Sequence, residues 1–152
     1  MLHNEVSDRI VQEVTNRLKK ERISLEEAKN ILHKAEVKAK SIKVPVVIAV
    51  VDDGGNLIAQ HKMDEAPIAS IAIAYSKAYT AIALKKPTQE LSKVVGPGQP
   101  LYGLENMCNG KLCTFGGGIP MTSNGKVIGG IGVSGGSIEE DVLIASEALK
   151  TE

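Results

Sequence analysis

The chain has 152 residues and balances 18 basic against 18 acidic side chains, so it carries no net field to attract nucleic acid, acidic substrates or an anionic membrane. Its four aromatic residues, Tyr75, Tyr79, Tyr102 and Phe115, are too few for a base-stacking platform or a large aromatic clamp. That length makes one domain with a real core, which Val, Ile, Leu and Ala must fill.

Residues 4–20 place Val6, Ile10, Val14 and Leu18 at a spacing of four between charged residues, which predicts a helix with one narrow apolar stripe. Ser24 with Glu27 has the form of a capping box. It opens a second helix to about Ser41 with Leu25, Ala28, Leu32, Ala35 and Ala39 on one face. Val44-Pro45 ends that helix, and the β-branched run 46–51 reads as a central strand buried on both faces. Asp52-Asp53-Gly54-Gly55-Asn56 is turn chemistry, and 57–63 returns as the partner strand of a hairpin.

Pro67 suits the first turn of a third helix over 68–84, whose alanines let it lie close on a sheet. Lys85 and Lys86 complement its C-terminal dipole and Pro87 stops it. The same run would bury Lys77, Ser70, Ser76, Thr80 and two tyrosines in lipid if it crossed a membrane, so it reads as a buried helix of a soluble protein. Thr88, Leu91 and Val94 suggest a short helix, 96–103 an irregular loop, and Asn109-Gly110 a hairpin-type turn. Three strands are expected near 112–115, 119–123 and 126–134. A last helix over 137–150 should turn Ile138, Val142, Ala145 and Leu149 inward. Strands joined by hairpin turns predict an α+β antiparallel sheet covered by helices.

Lys77 is the single charge between Glu65 and Lys85. A lysine in an apolar helix must reach an anion or water. Asp64, at the end of the preceding strand, is its expected partner. The pair reads either as a pocket that grips a carboxylate or propionate, or as a structural ion pair. The three histidines, His3, His33 and His61, have no metal-site spacing. On the polar side of the second helix, His33 is a candidate ligand or an ordinary solvated histidine; His61 ends a strand, where exposure is ordinary. Cys108 and Cys113 match neither a zinc pair nor a redox motif. Without a signal-peptide pattern they are expected to be reduced thiols of a cytoplasmic protein. The Gly116, Gly117 and Gly118 cluster is followed by no Gly-Lys-Ser/Thr and is no phosphate loop, but its amides could form an anion nest. Gly135-Gly136 offers the same to a carboxylate before the last helix; tight turns and bulges are the other reading of both clusters.

Several of these residues stand in a familiar order. Residues 46–57 (VVIAVVDDGGNL), Met63-Asp64, 76–81 (SKAYTA), Pro87-Thr88, 116–120 (GGGIP) and 128–136 (IGGIGVSGG) resemble the GlcG/HbpS family. That family includes haem-binding and haem-degrading proteins and the C-terminal domain of PduO-type corrinoid adenosyltransferases. The stretch 97–103 (PGQPLYG) most resembles the PduO-type branch. The resemblance covers about residues 24–150 and implies a profilin-like fold, a five-stranded antiparallel sheet between helices, and homo-oligomers built from dimers. It also implies haem or a related tetrapyrrole as ligand, in an accessory role beside cobalamin or diol-utilisation metabolism. Lys62 and Lys77 match the family's basic residues. On this reading His33 is the first choice of iron ligand, with Tyr75, Tyr79 or Tyr102 as alternatives for ferric iron. Lys77, Asp64 and Gly116 to Gly118 would complete the cofactor site.

No ATP-binding or corrinoid-adenosylating motif is present, so adenosyltransferase activity is not expected. The chain divides into residues 1–22, an amphipathic extension, and 23–152, the family domain. The stripe on residues 4–20 resembles the peptides that carry enzymes into bacterial microcompartments, which would make a shell protein its partner and the compartment lumen its location; packing within an oligomer is the other reading. The alternative function is a small-molecule enzyme or sensor that holds a small carboxylate or hydroxy acid with Asp64, Lys77 and the glycine-rich hairpin.

Overall fold

Val46 to Val51 are all fully buried, and the molecule is built around them. In a computed structural model that describes residues 2–19 and 22–151, with side chains for 4–16 and 22–151, this run forms the inner strand β1 (Val47–Asp52). It pairs antiparallel with β2 (Leu57–Lys62) on one side and β4 (Lys126–Ser134) on the other. β3 (Gly118–Ser123) completes the sheet in the order β2-β1-β4-β3. The turn between β3 and β4 is Asn124-Gly125, both with positive φ (49° and 76°), as a two-residue hairpin of matching twist requires.

Alternate side chains of β1 divide the core, as the period of a strand demands. Val46, Ile48 and Val50 join Ile131 and Val133 of β4 beneath α2 (Leu25–Ser41) and α5 (Ile138–Ala148). Val47, Ala49 and Val51 face α3 (Ala69–Leu84) on the other side. The fit of α3 depends on bare backbone: a Cβ at Gly132 would stand 1.9 Å from the Ala74 carbonyl oxygen, and one at Gly130 2.9 Å from that of Ala78. Both capped helices start as their sequences require. Ser24 and Ser137 each accept a hydrogen bond from the backbone N–H three residues on and donate their own backbone N–H to the Glu27 and Glu140 carboxylates.

The described sheet has four strands, not five. Leu112 to Phe115 forms no strand, because the Cys113 N–H donates to Thr80 Oγ1 of α3 at 2.8 Å rather than to a neighbouring strand. Asn109-Gly110 likewise closes a short 3₁₀ turn and joins no hairpin. Between α3 and β3 the chain runs through α4 (Ser92–Val95) and short 3₁₀ turns. In α5 the inward positions are Asp141, Ile144, Ala145 and Ala148, while Ile138 is 48% exposed. α1 (Leu2–Lys19) forms as expected, yet Val6, Ile10 and Val14 are about half exposed. The Leu18 side chain lies outside the described residues.

Candidate functional site

Lys77 sits at the middle of α3 and is wholly buried. Its Nζ donates to the Val133 carbonyl at 2.8 Å and to Asp141 Oδ2 at 2.7 Å, with the Phe115 ring 5.0 Å away. Asp141 Oδ1 accepts the Gly136 N–H at 2.9 Å. The anion held before the last helix is therefore the helix's own Asp141. Burial pushes the Asp141 carboxyl above its ordinary range, against the opposing pull of Lys77 and of the Gly136 and Gly135 amides. The expected partner, Asp64, is exposed at the far end of β2, in an open recess of about 590 Å³ with Glu36, Lys40, His61 and Lys62. A charge matched this closely inside the protein has no call to bind a carboxylate from solvent.

The three glycines serve the same buried pair. A Cβ at Gly117 would stand 2.8 Å from Lys77 Nζ, and one at Gly118 2.3 Å from the Lys77 carbonyl oxygen. Gly118 N–H donates to Thr88 Oγ1 and the Gly117 carbonyl accepts from Val133 N–H. Gly116, Gly117 and Gly118 are buried and pack α3 and α5 over the sheet.

His33 lies on the opposite side of the sheet, exposed on α2. It borders a recess of about 460 Å³ with Lys34, Val37, Lys38, Glu147 and Lys150. Lys34 Nζ donates to the Lys150 carbonyl at 3.1 Å. The same two lysines edge a second groove of similar volume whose walls are Ile23, Ile31, Met121, Ile128 and Leu149. His61, by contrast, is committed: its Nδ1 lies 2.6 Å from Glu36 Oε1. Tyr75 donates to the Gly55 carbonyl at 3.1 Å, Tyr79 stacks against the same turn, and Tyr102 is 67% exposed on the 101–103 turn. Among the described residues no group of three or more His, Cys, Asp and Glu side chains is placed to hold a metal ion. The His3 side chain lies outside them.

Geometry thus separates the candidates into a buried Lys77–Asp141 pair with the glycines around it, and a solvent-facing His33 with lysines beside it. Sequence reasoning missed Asp141. Its signal was the stripe Asp141, Ile144, Ala145 and Ala148, which puts a carboxylate on the buried side of the helix. For a haem the His33 side offers matching chemistry: an exposed imidazole for iron, ammonium groups for propionates and aliphatic walls for the porphyrin edge.

A profile described as haem degrading protein, HbpS-like, matches residues 23–150. A 15.0 kDa protein of the dhaT-dhaS intergenic region of Citrobacter freundii is 47% identical over 127 residues, which cover 84% of this chain and 89% of that one. The corrinoid adenosyltransferase PduO of the same organism is 42% identical over 127 residues, 84% of this chain and 38% of the enzyme. The present chain therefore spans well under half of that enzyme. In three dimensions the chain is similar to the crystal structure of a PduOC–haem complex, with a TM-score of 0.82 and 42% identity, over 84% of this chain and 93% of the other.

Proposed function

We propose, from the premise that this chain belongs to the HbpS-like family of haem degrading proteins, that it binds haem on the exposed side of α2 through His33. One observation carries the reading: His33 is an exposed imidazole without a side-chain partner among the described residues, beside Lys34, Lys38 and Lys150. The similar PduOC chain, crystallised with haem, supports the ligand class.

In this reading His33 supplies the axial nitrogen. Lys34 and Lys38 take the propionates, and Val37, 53% exposed, covers part of the porphyrin edge. Bound haem brings a redox-active iron. The protein's part is to hold and orient it. Lys77 has no place among its contacts, because its ammonium is spent on Asp141 and Val133. The same fact removes the cation on which a small-carboxylate or hydroxy-acid site depended.

The protein works as an accessory binding protein, in an oligomer whose copies meet through apolar helix surface. Ile68, which caps α3, and Ile71 on its first turn, 81% and 42% exposed, offer such a surface. Relatives named for corrinoid adenosylation and for the dhaT-dhaS region favour a setting in cobalamin or diol metabolism. There α1, with Val6, Ile10 and Val14 turned outward, would dock on a microcompartment shell protein from inside the lumen.

Haemin titration of the purified chain, followed at the Soret band, tests the site. Saturable binding should be lost in His33→Ala, weakened in the Lys34→Glu/Lys38→Glu double variant, and unchanged in His61→Ala. A Soret shift that survives His33→Ala would move the iron elsewhere.

A further inference from the structure

Beside the His33 recess, the groove walled by Ile23, Ile31, Met121, Ile128 and Leu149 has a volume of about 460 Å³, within the ~300–1,000 Å³ span of small-molecule sites. It exists because the core is left open at this edge. Met121 belongs to the buried cluster beneath α2 and α5, and the other four are only partly buried where they pack against it. Aliphatic surface left in that state is stabilised by whatever covers it.

The polar groups of the groove decide the chemistry of the cover. Lys34 and Lys150 edge one end, and Glu27 lies two turns of α2 away, about 10 Å. Glu27 is held in the helix cap, where its Oε2 accepts from the Ser24 N–H at 2.8 Å and the Ser24 Oγ at 2.9 Å. Lys150 places its ammonium on Glu147 at 2.6 Å. Half-buried Lys34 donates to the Lys150 carbonyl at 3.1 Å and makes no other hydrogen bond among the described residues. An ammonium has three donors, so Lys34 keeps donors to spare at the end of an apolar bed. An apolar groove with a convergent, unspent polar group is the form a ligand site takes.

We infer that this groove binds a medium-chain aliphatic carboxylate. The chain lies on Ile31, Met121, Ile128 and Leu149, and the carboxylate accepts from Lys34 Nζ. Charge sets both direction and selectivity, because an alkylammonium of the same length would meet the Lys34 cation while Glu27 stays engaged in the cap. The inference does not rest on haem, since His33 is not among the walls of the groove.

Thermal melting of the full haem-free chain with sodium octanoate, against n-octylammonium chloride at matched ionic strength, tests it. The melting temperature should rise saturably with octanoate and show no rise with octylammonium. Lys34→Met, which keeps the apolar stem and removes the charge, should raise the half-saturating octanoate concentration about tenfold or more. Thr122 is an exposed strand residue at the groove wall. Thr122→Trp fills the apolar bed and leaves the ammonium in place, so it should melt as the parent does and lose the response. Equal responses to both ions, or a response retained unchanged in either variant, would overturn the assignment. No response to octanoate, the result expected of a groove already filled by a second copy, would overturn it too.

Discussion

The Lys77 ammonium meets the Asp141 carboxylate at 2.7 Å across 64 residues of sequence, with both side chains almost completely removed from water. This contact ties α3 to α5 through the sheet between them, and the Val133 carbonyl and Gly136 N–H complete its hydrogen bonds. Removing one partner leaves a buried charge uncompensated. Lys77→Met or Asp141→Leu should each cost about 3–5 kcal/mol. The double variant Lys77→Met/Asp141→Leu should recover much of that loss, because no unpaired charge remains. Urea unfolding of the three proteins checks the cycle; strictly additive losses would show that the two side chains do not act as a pair.

Packing of α3 on β4 gives a second prediction. A methyl group at Gly132 would overlap the Ala74 carbonyl oxygen and the Ala78 backbone nitrogen, at 1.9 Å and 2.6 Å. Neither neighbour is a side chain that can swing aside. Gly132→Ala should prevent folding or cost several times the ~1–3 kcal/mol of ordinary overpacking. Gly98, whose added Cβ meets nothing within 4 Å, has a φ of +78°, so Gly98→Ala should cost only about 1–2 kcal/mol of backbone strain. Expression level and circular-dichroism melting of the two variants provide the comparison.

Acid stability should report on the β1–β2 turn. Burial tends to raise the Asp52 carboxyl, but hydrogen bonds from the Asn56 backbone, the Asn56 side chain and the Gly54 backbone outweigh it and hold the group below its ordinary value of 3.8. A folded-state value below the unfolded one means that the ionised turn is stabilised above the unfolded value and loses that stabilisation as pH falls through the folded one. The parent should therefore exceed Asp52→Asn in melting temperature at neutral pH. That gap should narrow as pH falls below 3.8. A gap that stays constant or widens on acidification would contradict the assignment.

The extension should be dispensable for the stability of the domain. Val6, Ile10, Val11 and Val14 are 48–62% exposed, so little apolar area is lost with them. A chain starting at Ile23, where the family match begins, should melt within about 2 °C of the full chain. A larger fall would show that α1 packs on the domain or on another copy.

Local signals were plain in the sequence where they needed no distant partner. The Ser24/Glu27 box, the β-branched run of β1 and the Asp52–Asn56 turn are settled within a few residues, and each forms where its chemistry predicts. Leu112 to Phe115 has the composition of a strand but not its structure, because pairing is decided by what lies alongside, and there the neighbour is Thr80 of α3. The candidate site divides the same way. Lys77 stood out because a charge in an apolar helix must be answered. Proximity in sequence suggested Asp64, while the answering group proved to be Asp141, brought in by the β4–α5 crossing.

By itself the sequence determined the Ser24/Glu27 cap, the Asp52–Asn56 turn, the buried run of β1 and, through its ordered motifs, the family. These rest on local backbone preference and on residue pattern, both of which a one-dimensional string carries in full. Only the tertiary structure decided which charge answers Lys77 and, among the described residues, that His61 is paired while His33 has no side-chain partner. Each of those depends on distances between residues far apart in the chain. A hydrogen bond or a desolvation cost exists only when such distances close to a few ångströms.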